Sequence, residues 1–281
     1  MAIAAIIGSG SSAAVGFFGE IMSKLADKLR KALRLEAAPI GFRAAARERN
    51  PSLLLVVRLG NPDPGKAAAA VERGADSILL SLAKPGEADV GPIVEAAGGL
   101  PCGVWSEGLD GEAVARLTAA GVDYLVFAAE STPAPAILEE KAGYVLVLEG
   151  ELSDTYLRST ELLPLEAVLL PQGKGPLTVR ALMELRRIAA LTRKPIMMPV
   201  APTAAGGELE CLRDSGVSLL LVDGDETGAM EALPSLRRAV EALPAPRRRR
   251  EERMGAVLPR PADFAAAEEG EEEEEEDGDD L

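Results

Sequence analysis

The chain has 281 residues, of which 47% are apolar and only 3% aromatic, and this length can bury one large core or two modest ones. Its net charge of −15 comes mainly from residues 261–281, which hold twelve acidic residues and no basic one, so subtracting them leaves −3 for residues 1–260. The rest of the chain therefore lacks the basic bias typical of nucleic-acid binding. The absence of histidine excludes a His-based catalytic triad and any zinc site that needs imidazole.

The first 35 residues form a predicted arm with an apolar part and an amphipathic helix. Residues 3–19 form an apolar stretch of about the minimum length for crossing a bilayer. A cleaved secretory signal begins with a basic segment, and none precedes this stretch, so such a signal is a poor fit. Apolar residues recur at three- and four-residue steps, namely Ile21, Met22, Leu25, Leu29 and Leu33, beside five basic residues, Lys24, Lys28, Arg30, Lys31 and Arg34. Such a helix binds an anionic membrane surface, or it plugs the bottom of a barrel or pairs with a partner subunit in a homo-oligomer. We favour the plug or subunit contact.

A glycine pattern in the same arm resembles a dinucleotide-binding motif. Residues 3–7 followed by GSGSSA at 8–13 formally fit the strand–GxGxxA–helix pattern of dinucleotide sites. The next strand begins near Leu53 and the first acid beyond it is Asp63, much further than the about 20 residues expected. A flexible small-residue segment is the preferred interpretation, and the sequence assigns no cofactor.

Eight apolar runs, each followed by a helix-like stretch, then occupy residues 53–244, after a linker at 36–52. The predicted strands are 53–59, 77–82, 102–106, 123–128, 143–149, 166–170, 195–200 and 217–223. Strict alternation of strand and helix requires parallel strands, and eight such units close a (β/α)₈ barrel. Gly74, Gly121 and Gly216 stand where helices end, while Pro64, Pro133 and Pro176 stand near helix starts. Over residues 51–244 the chain resembles (β/α)₈ (TIM) barrels in general.

The end of the chain and its cysteines complete the organisation. Residues 247–250 are all arginine and residues 270–281 are almost all acidic, so 245–281 is predicted to be a disordered tail. Two lone cysteines, Cys102 and Cys211, are typical of a reducing compartment and favour a cytoplasmic location.

Polar residues that follow the strands are the candidate site, because barrel active sites form at the carboxyl ends of the strands. Glu107, Glu130 and Glu149 end three successive strands, and three converging carboxylates would suit Mg²⁺. Lys84 and Lys174 lie on roughly opposite strands, and a lysine between apolar walls acts as a base or Schiff-base nucleophile. For both sets, solvated or paired side chains are the structural alternative.

Two functions remain open. One is an enzyme of lyase or isomerase type that binds a small molecule at the rim and uses these carboxylates and lysines. The other is a non-catalytic barrel that serves as a scaffold or binding module. In this second case, residues 1–35 could provide a contact with a membrane. The enzyme is preferred because barrels of this kind are mostly enzymes, whereas the missing histidines and the short loops favour the second function. The acids around Gly224 disfavour a phosphorylated ligand.

Overall fold

The eight predicted strands form one closed parallel barrel in the computed structural model, which describes residues 23–34, 52–86, 88–139, 141–171 and 176–245. Each strand pairs with the next, and the eighth pairs with the first. The predicted (β/α)₈ fold is therefore confirmed. The strands are β1 Leu54–Leu59, β2 Ser77–Leu82, β3 Cys102–Ser106, β4 Tyr124–Ala128, β5 Gly143–Val147, β6 Ala167–Leu169, β7 Ile196–Pro199 and β8 Val217–Asp223.

Helices surround this barrel unevenly. They are α1 Lys24–Arg34, α2 Pro64–Glu72, α3 Gly91–Ala96, α4 Gly111–Ala119, α5 Asp154–Ser159, α6 Val179–Thr192, α7 Gly206–Arg213 and α8 Ala229–Glu241. The prediction of a helix after β4 is wrong, because the described residues there contain only the 3₁₀ turn Ala134–Leu138. Pro133 at its N-cap and Pro135 at its second position suit the start of a helical turn, because the N–H groups that they lack would have no partner there. A second 3₁₀ turn, Thr160–Leu162, extends α5.

Two apolar layers hold the barrel together, one outside the strands under the helices and one along the barrel axis. The inner layer consists of alternate strand residues, namely Leu54, Val56, Leu79, Tyr124, Val126, Val145, Val147, Ala167, Leu169, Met197, Leu219 and Leu221. Alternation is expected because successive side chains of a strand point to opposite faces. The barrel interior is thus a packed core and not a channel.

Tyr124 is the largest side chain in this inner layer, and Gly103 provides the space for it. Tyr124 is fully buried, and its hydroxyl group lies 2.9 Å from Oγ of Ser77. A Cβ added at Gly103 would overlap the Tyr124 ring. Gly103 is therefore required by close packing against the neighbouring strand and not by backbone conformation.

Helix α1 closes the bottom of the barrel. Leu25, Leu29 and Ala32 are buried in the same cluster as the inner strand residues. The Asp123 carboxylate accepts hydrogen bonds from the backbone N–H groups of Lys24 (2.8 Å) and Leu25 (3.0 Å), so the barrel itself caps the helix N-terminus. The predicted plug is confirmed, and the apolar face of α1 is buried against the barrel.

Buried or partly buried carboxylates surround this plug. Ser23 donates a hydrogen bond from Oγ to Glu166 (2.6 Å), whose carboxylate occupies the space that a side chain at Gly143 would need. Burial raises the pKa of Glu166 to about 7, and burial also raises the pKa of Asp123. Nearby, the Asp76 carboxylate forms ion pairs with Arg237 at 2.7 Å and with Lys28 at 3.7 Å.

None of the helices in the described ranges has both the length and the hydropathy that a bilayer crossing requires. The apolar segment 3–19 and the predicted tail from residue 246 onward lie outside the described residues.

The raised pKa of Glu166 predicts a pH-dependent stability. The folded state holds this proton up to about pH 7, whereas an unfolded chain releases it near pH 4.5. The contribution of Glu166 is therefore fully present below about pH 4.5 and is lost as the pH rises through about 7, a change of at most about 3 kcal/mol. Glu166→Gln should remove this step from urea-unfolding free energies measured between pH 4.5 and 8.

The exposed Glu95 on α3 offers a charge-matched control, since Glu95→Gln should keep the wild-type pH profile. Parallel profiles for the wild type and Glu166→Gln would contradict the burial of this carboxylate under α1.

Gly103→Ala is expected to destabilise the protein by about 1–3 kcal/mol, because the added methyl group overpacks the barrel against Tyr124. Gly111→Ala is the matched control, since a Cβ there meets no atom within 4 Å and alanine favours a helix over glycine. Chemical denaturation of both variants provides the comparison. Equal stabilities for the two alanine variants would show that Gly103 is not needed for packing.

Candidate functional site

The predicted site residues that the structure describes all lie at the carboxyl end of the barrel and are exposed. Lys84 follows β2, Glu107 follows β3, Glu130 follows β4 and Glu149 follows β5. Lys174, predicted on the opposite side of the mouth, lies outside the described residues.

Lys84 and Glu107 line one cleft, here called the rim cleft. It has a volume of about 530 Å³, and its other lining residues are Ala83, Pro85, Gly108, Asp110, Ala113, Arg116 and Ser131. The cleft is formed by the loops that follow β2 and β3, by α4, and by the first residues after β4. Its volume falls within the roughly 300–1,000 Å³ of typical ligand pockets.

The start of α4 shapes this cleft. Gly108 adopts a positive φ of 67°, which turns the chain directly after Glu107. Two residues later Asp110 caps the helix, since its side chain accepts a hydrogen bond from the N–H of Ala113 at 2.8 Å. One turn further, Arg116 lies on the same side of α4 as Ala113 and reaches the cleft. Arg116 was not among the predicted site residues, although its helical spacing from the Asp110 cap could have indicated it.

The three carboxylates do not converge. In the described part of the chain, no three His, Cys, Asp or Glu side chains are grouped so that they could hold a metal ion. The expectation of a magnesium site made by Glu107, Glu130 and Glu149 is therefore wrong. Strands β4 and β5 end two residues before Glu130 and Glu149, so these two acids stand on loops and not on strand positions that face the axis.

Glu130 and Glu149 lie away from the cleft lining, although Glu130 precedes its lining residue Ser131. Burial raises the pKa of Tyr156 on α5, and the negative charge of Glu130 adds to this shift. Glu130 is therefore within electrostatic range of Tyr156. Glu149 is exposed and is followed by Gly150, which turns the chain with a φ of 73°.

An ion pair crosses the top of the barrel between its first and last strands. Arg58 of β1 is paired in register with Asp223 of β8, and their side chains meet at 2.5 Å. Below them, the apolar side chains of Val126, Leu169 and Leu221 are buried and fill the axis. The candidate cleft consequently lies beside the axis, above β2 to β4.

The carboxylate of Asp225, in the loop after β8, is also engaged in hydrogen bonds. Asp225 accepts hydrogen bonds from Lys66 and from the backbone N–H groups of Gly60 (2.6 Å) and Asn61 (3.2 Å). Although burial acts to raise it, these hydrogen bonds leave the pKa of Asp225 below its usual range. Asp225 thus fastens the loop after β1 to the loop after β8.

Known proteins share the fold of this chain, but the similarity does not identify its functional site. No family model matches this chain, and no curated protein sequence is similar to it. A mutant tryptophan synthase alpha-subunit from Pyrococcus furiosus is similar in structure, with a TM-score of 0.52, 19% identity, and coverage of 68% of this chain and 96% of that one.

Two further solved structures share the barrel. Tryptophan synthase from Mycobacterium tuberculosis has a TM-score of 0.53 and 16% identity over 79% of this chain and 98% of its own. Thiamine phosphate pyrophosphorylase from Pyrococcus furiosus has a TM-score of 0.50 and 16% identity over 67% and 95%. These neighbours are enzymes, and at such identities the similarity shows the TIM-barrel fold alone.

The Arg58–Asp223 pair should contribute more than a surface pair, because each side chain is only about a third exposed, at 34% and 27%. A double-mutant cycle with Arg58→Met and Asp223→Asn should give a coupling energy of about 1 kcal/mol by urea unfolding. The same cycle on Arg30 and Asp27, an exposed pair on α1, should give about 0.3 kcal/mol. Equal coupling energies in the two cycles would contradict a special role for the pair in closing the barrel.

Proposed function

We propose that this chain binds a small polar molecule in the rim cleft. One observation carries the proposal: the cleft is of ligand size and is lined by two basic side chains, Lys84 and Arg116, and by the acidic side chain of Glu107. Asp110 lines it too, but its carboxylate is engaged in capping α4. The free cysteines, buried Cys102 and exposed Cys211, are in keeping with a reducing, cytoplasmic setting.

The chemistry that suits these groups is proton transfer of the lyase or isomerase type. The Glu107 carboxylate takes a proton from a carbon next to a carbonyl group, and the electron pair of that C–H bond moves to the carbonyl oxygen. The Lys84 ammonium group stabilises the oxyanion that forms. Return of the proton to a neighbouring carbon gives an isomer, whereas loss of a leaving group gives a lyase product.

A non-catalytic binding module is the second candidate, and the filled barrel axis favours it. With Val126, Leu169 and Leu221 buried beneath the Arg58–Asp223 pair, the described rim offers a ligand the side of the mouth and not its centre. In a membrane-associated scaffold, residues 1–22 would have to supply the membrane contact, because the apolar face of α1 is occupied by the barrel.

A thermal-shift screen of small metabolites tests binding, and Trp105 provides a second signal. Trp105 is the only tryptophan in the chain, stands two residues before Glu107 and packs, partly buried, against the inner cluster of the barrel, so a change in its fluorescence is the second signal. Lys84→Met and Glu107→Gln should each weaken binding of any hit at least tenfold. Lys141→Met, at an exposed position away from the cleft, is the matched control. Hits that are unaffected by both cleft variants would refute the proposed site.

Catalysis is separated from binding by following each hit in D₂O by NMR. Incorporation of deuterium next to the carbonyl group, lost in Glu107→Gln, supports the enzyme. Tight binding without exchange or turnover supports the binding module.

A further inference from the structure

A second, smaller cavity adjoins the rim cleft on the outside of the barrel. This α3–α4 groove has a volume of about 160 Å³, and its apolar walls are Ala88, Val90, Ala113, Leu117 and Ala120. It is too small for an independent ligand, because typical ligand pockets start at roughly 300 Å³. Its place beside the rim cleft therefore decides what it can do.

The groove and the rim cleft adjoin each other. Pro85, Ala113 and Arg116 line both of them. Beyond Ala120, a Cβ added at Gly121 would lie 3.1 Å from Cγ1 of Val94, so the chain that leaves α4 contacts α3 there. A molecule in the rim cleft can thus extend one short branch past Arg116 toward Leu117 and Ala120.

The size and polarity of the groove define that branch. At roughly 30 Å³ for each non-hydrogen atom, the groove holds about five atoms. Asp89 is the acidic residue in its lining, and that carboxylate accepts a hydrogen bond from the N–H of Gly91 at 3.1 Å. The remaining walls suit an aliphatic chain.

Arg116 stands where the groove meets the cleft. None of the ion pairs formed within the described ranges involves Arg116. Lys84 lines the same cleft from the loop after β2. A guanidinium group beside an ammonium group favours a carboxylate, which Arg binds with two parallel hydrogen bonds.

We infer that the ligand of the rim cleft is a small carboxylate with a short aliphatic chain, its carboxylate held by Arg116 and Lys84 and its chain lying in the α3–α4 groove. This inference rests on the proposed function, since it names the ligand class of the same site. Arg116 is a binding residue in this arrangement, and Glu107 remains the group that moves the proton.

Straight-chain 2-oxo acids of three to eight carbons test the inference, each compared with its uncharged amide. Binding is followed by Trp105 fluorescence. For the wild type, the dissociation constant of the acids should fall up to about fourfold for each added methylene, since burying one CH₂ contributes about 0.8 kcal/mol, and then level off as the groove fills. The amides should bind at least tenfold more weakly than the acids.

Two variants separate the carboxylate site from the groove. Arg116→Gln should weaken all the acids at least tenfold and leave the amides unchanged. Ala120→Leu should weaken only the longer acids, because its side chain enters the far end of the groove. Ala119→Leu is the control, at an exposed α4 position that lines neither cavity.

Acids whose affinity depends neither on chain length nor on Ala120→Leu would overturn the groove assignment. Amides that bind as tightly as acids would overturn the carboxylate assignment. Failure of every acid to bind would overturn the inference as a whole. In each case the metabolite screen with Lys84→Met and Glu107→Gln still decides the proposed function independently.

Discussion

Pairing of β1 with β8 closes the sheet, and the other features of this chain depend on that closure. Residues Leu54 to Arg58 run in register beside Leu219 to Asp223, so an otherwise open sheet gains an inside. Only a closed interior brings alternate side chains from seven strands into one apolar cluster, against which Trp105 of β3 packs. The Arg58–Asp223 pair and the bonds to Asp225 add polar links at the top of the same seam.

The two ends of the barrel differ in their electrostatics. Strongly perturbed carboxylates often mark functional sites, yet Glu166 lies at the bottom, next to the N-terminus of α1. Its raised pKa follows from burial, its partner is the hydroxyl group of Ser23, and it lies at the barrel end opposite the rim. The perturbation therefore reflects the docking of α1, and the cost of burying the carboxylate is offset by the apolar contacts of Leu25 and Leu29.

Much of this architecture could be predicted from the sequence, and the errors have physical causes. Uninterrupted aliphatic runs placed every strand within two residues, because a buried parallel strand leaves little ambiguity in its apolar pattern. The three-carboxylate site failed because a strand pattern fixes side-chain direction only as far as the strand extends, and Glu130 and Glu149 come after the strand ends. The overlap of Gly103 with Tyr124 depends on register between neighbouring strands, which no single run reveals.

The position of the candidate site follows from an uneven ring of helices. On the side of α6 and α8, helices of 14 and 13 residues cover the strands. On the side of β2 to β4, α3 has only six residues, and a 3₁₀ turn stands where a helix was expected. Because the axis is filled by large apolar side chains, a ligand cannot enter there, and the short elements leave the rim cleft and the α3–α4 groove beside it. Lys84, Glu107 and Arg116 line this opening.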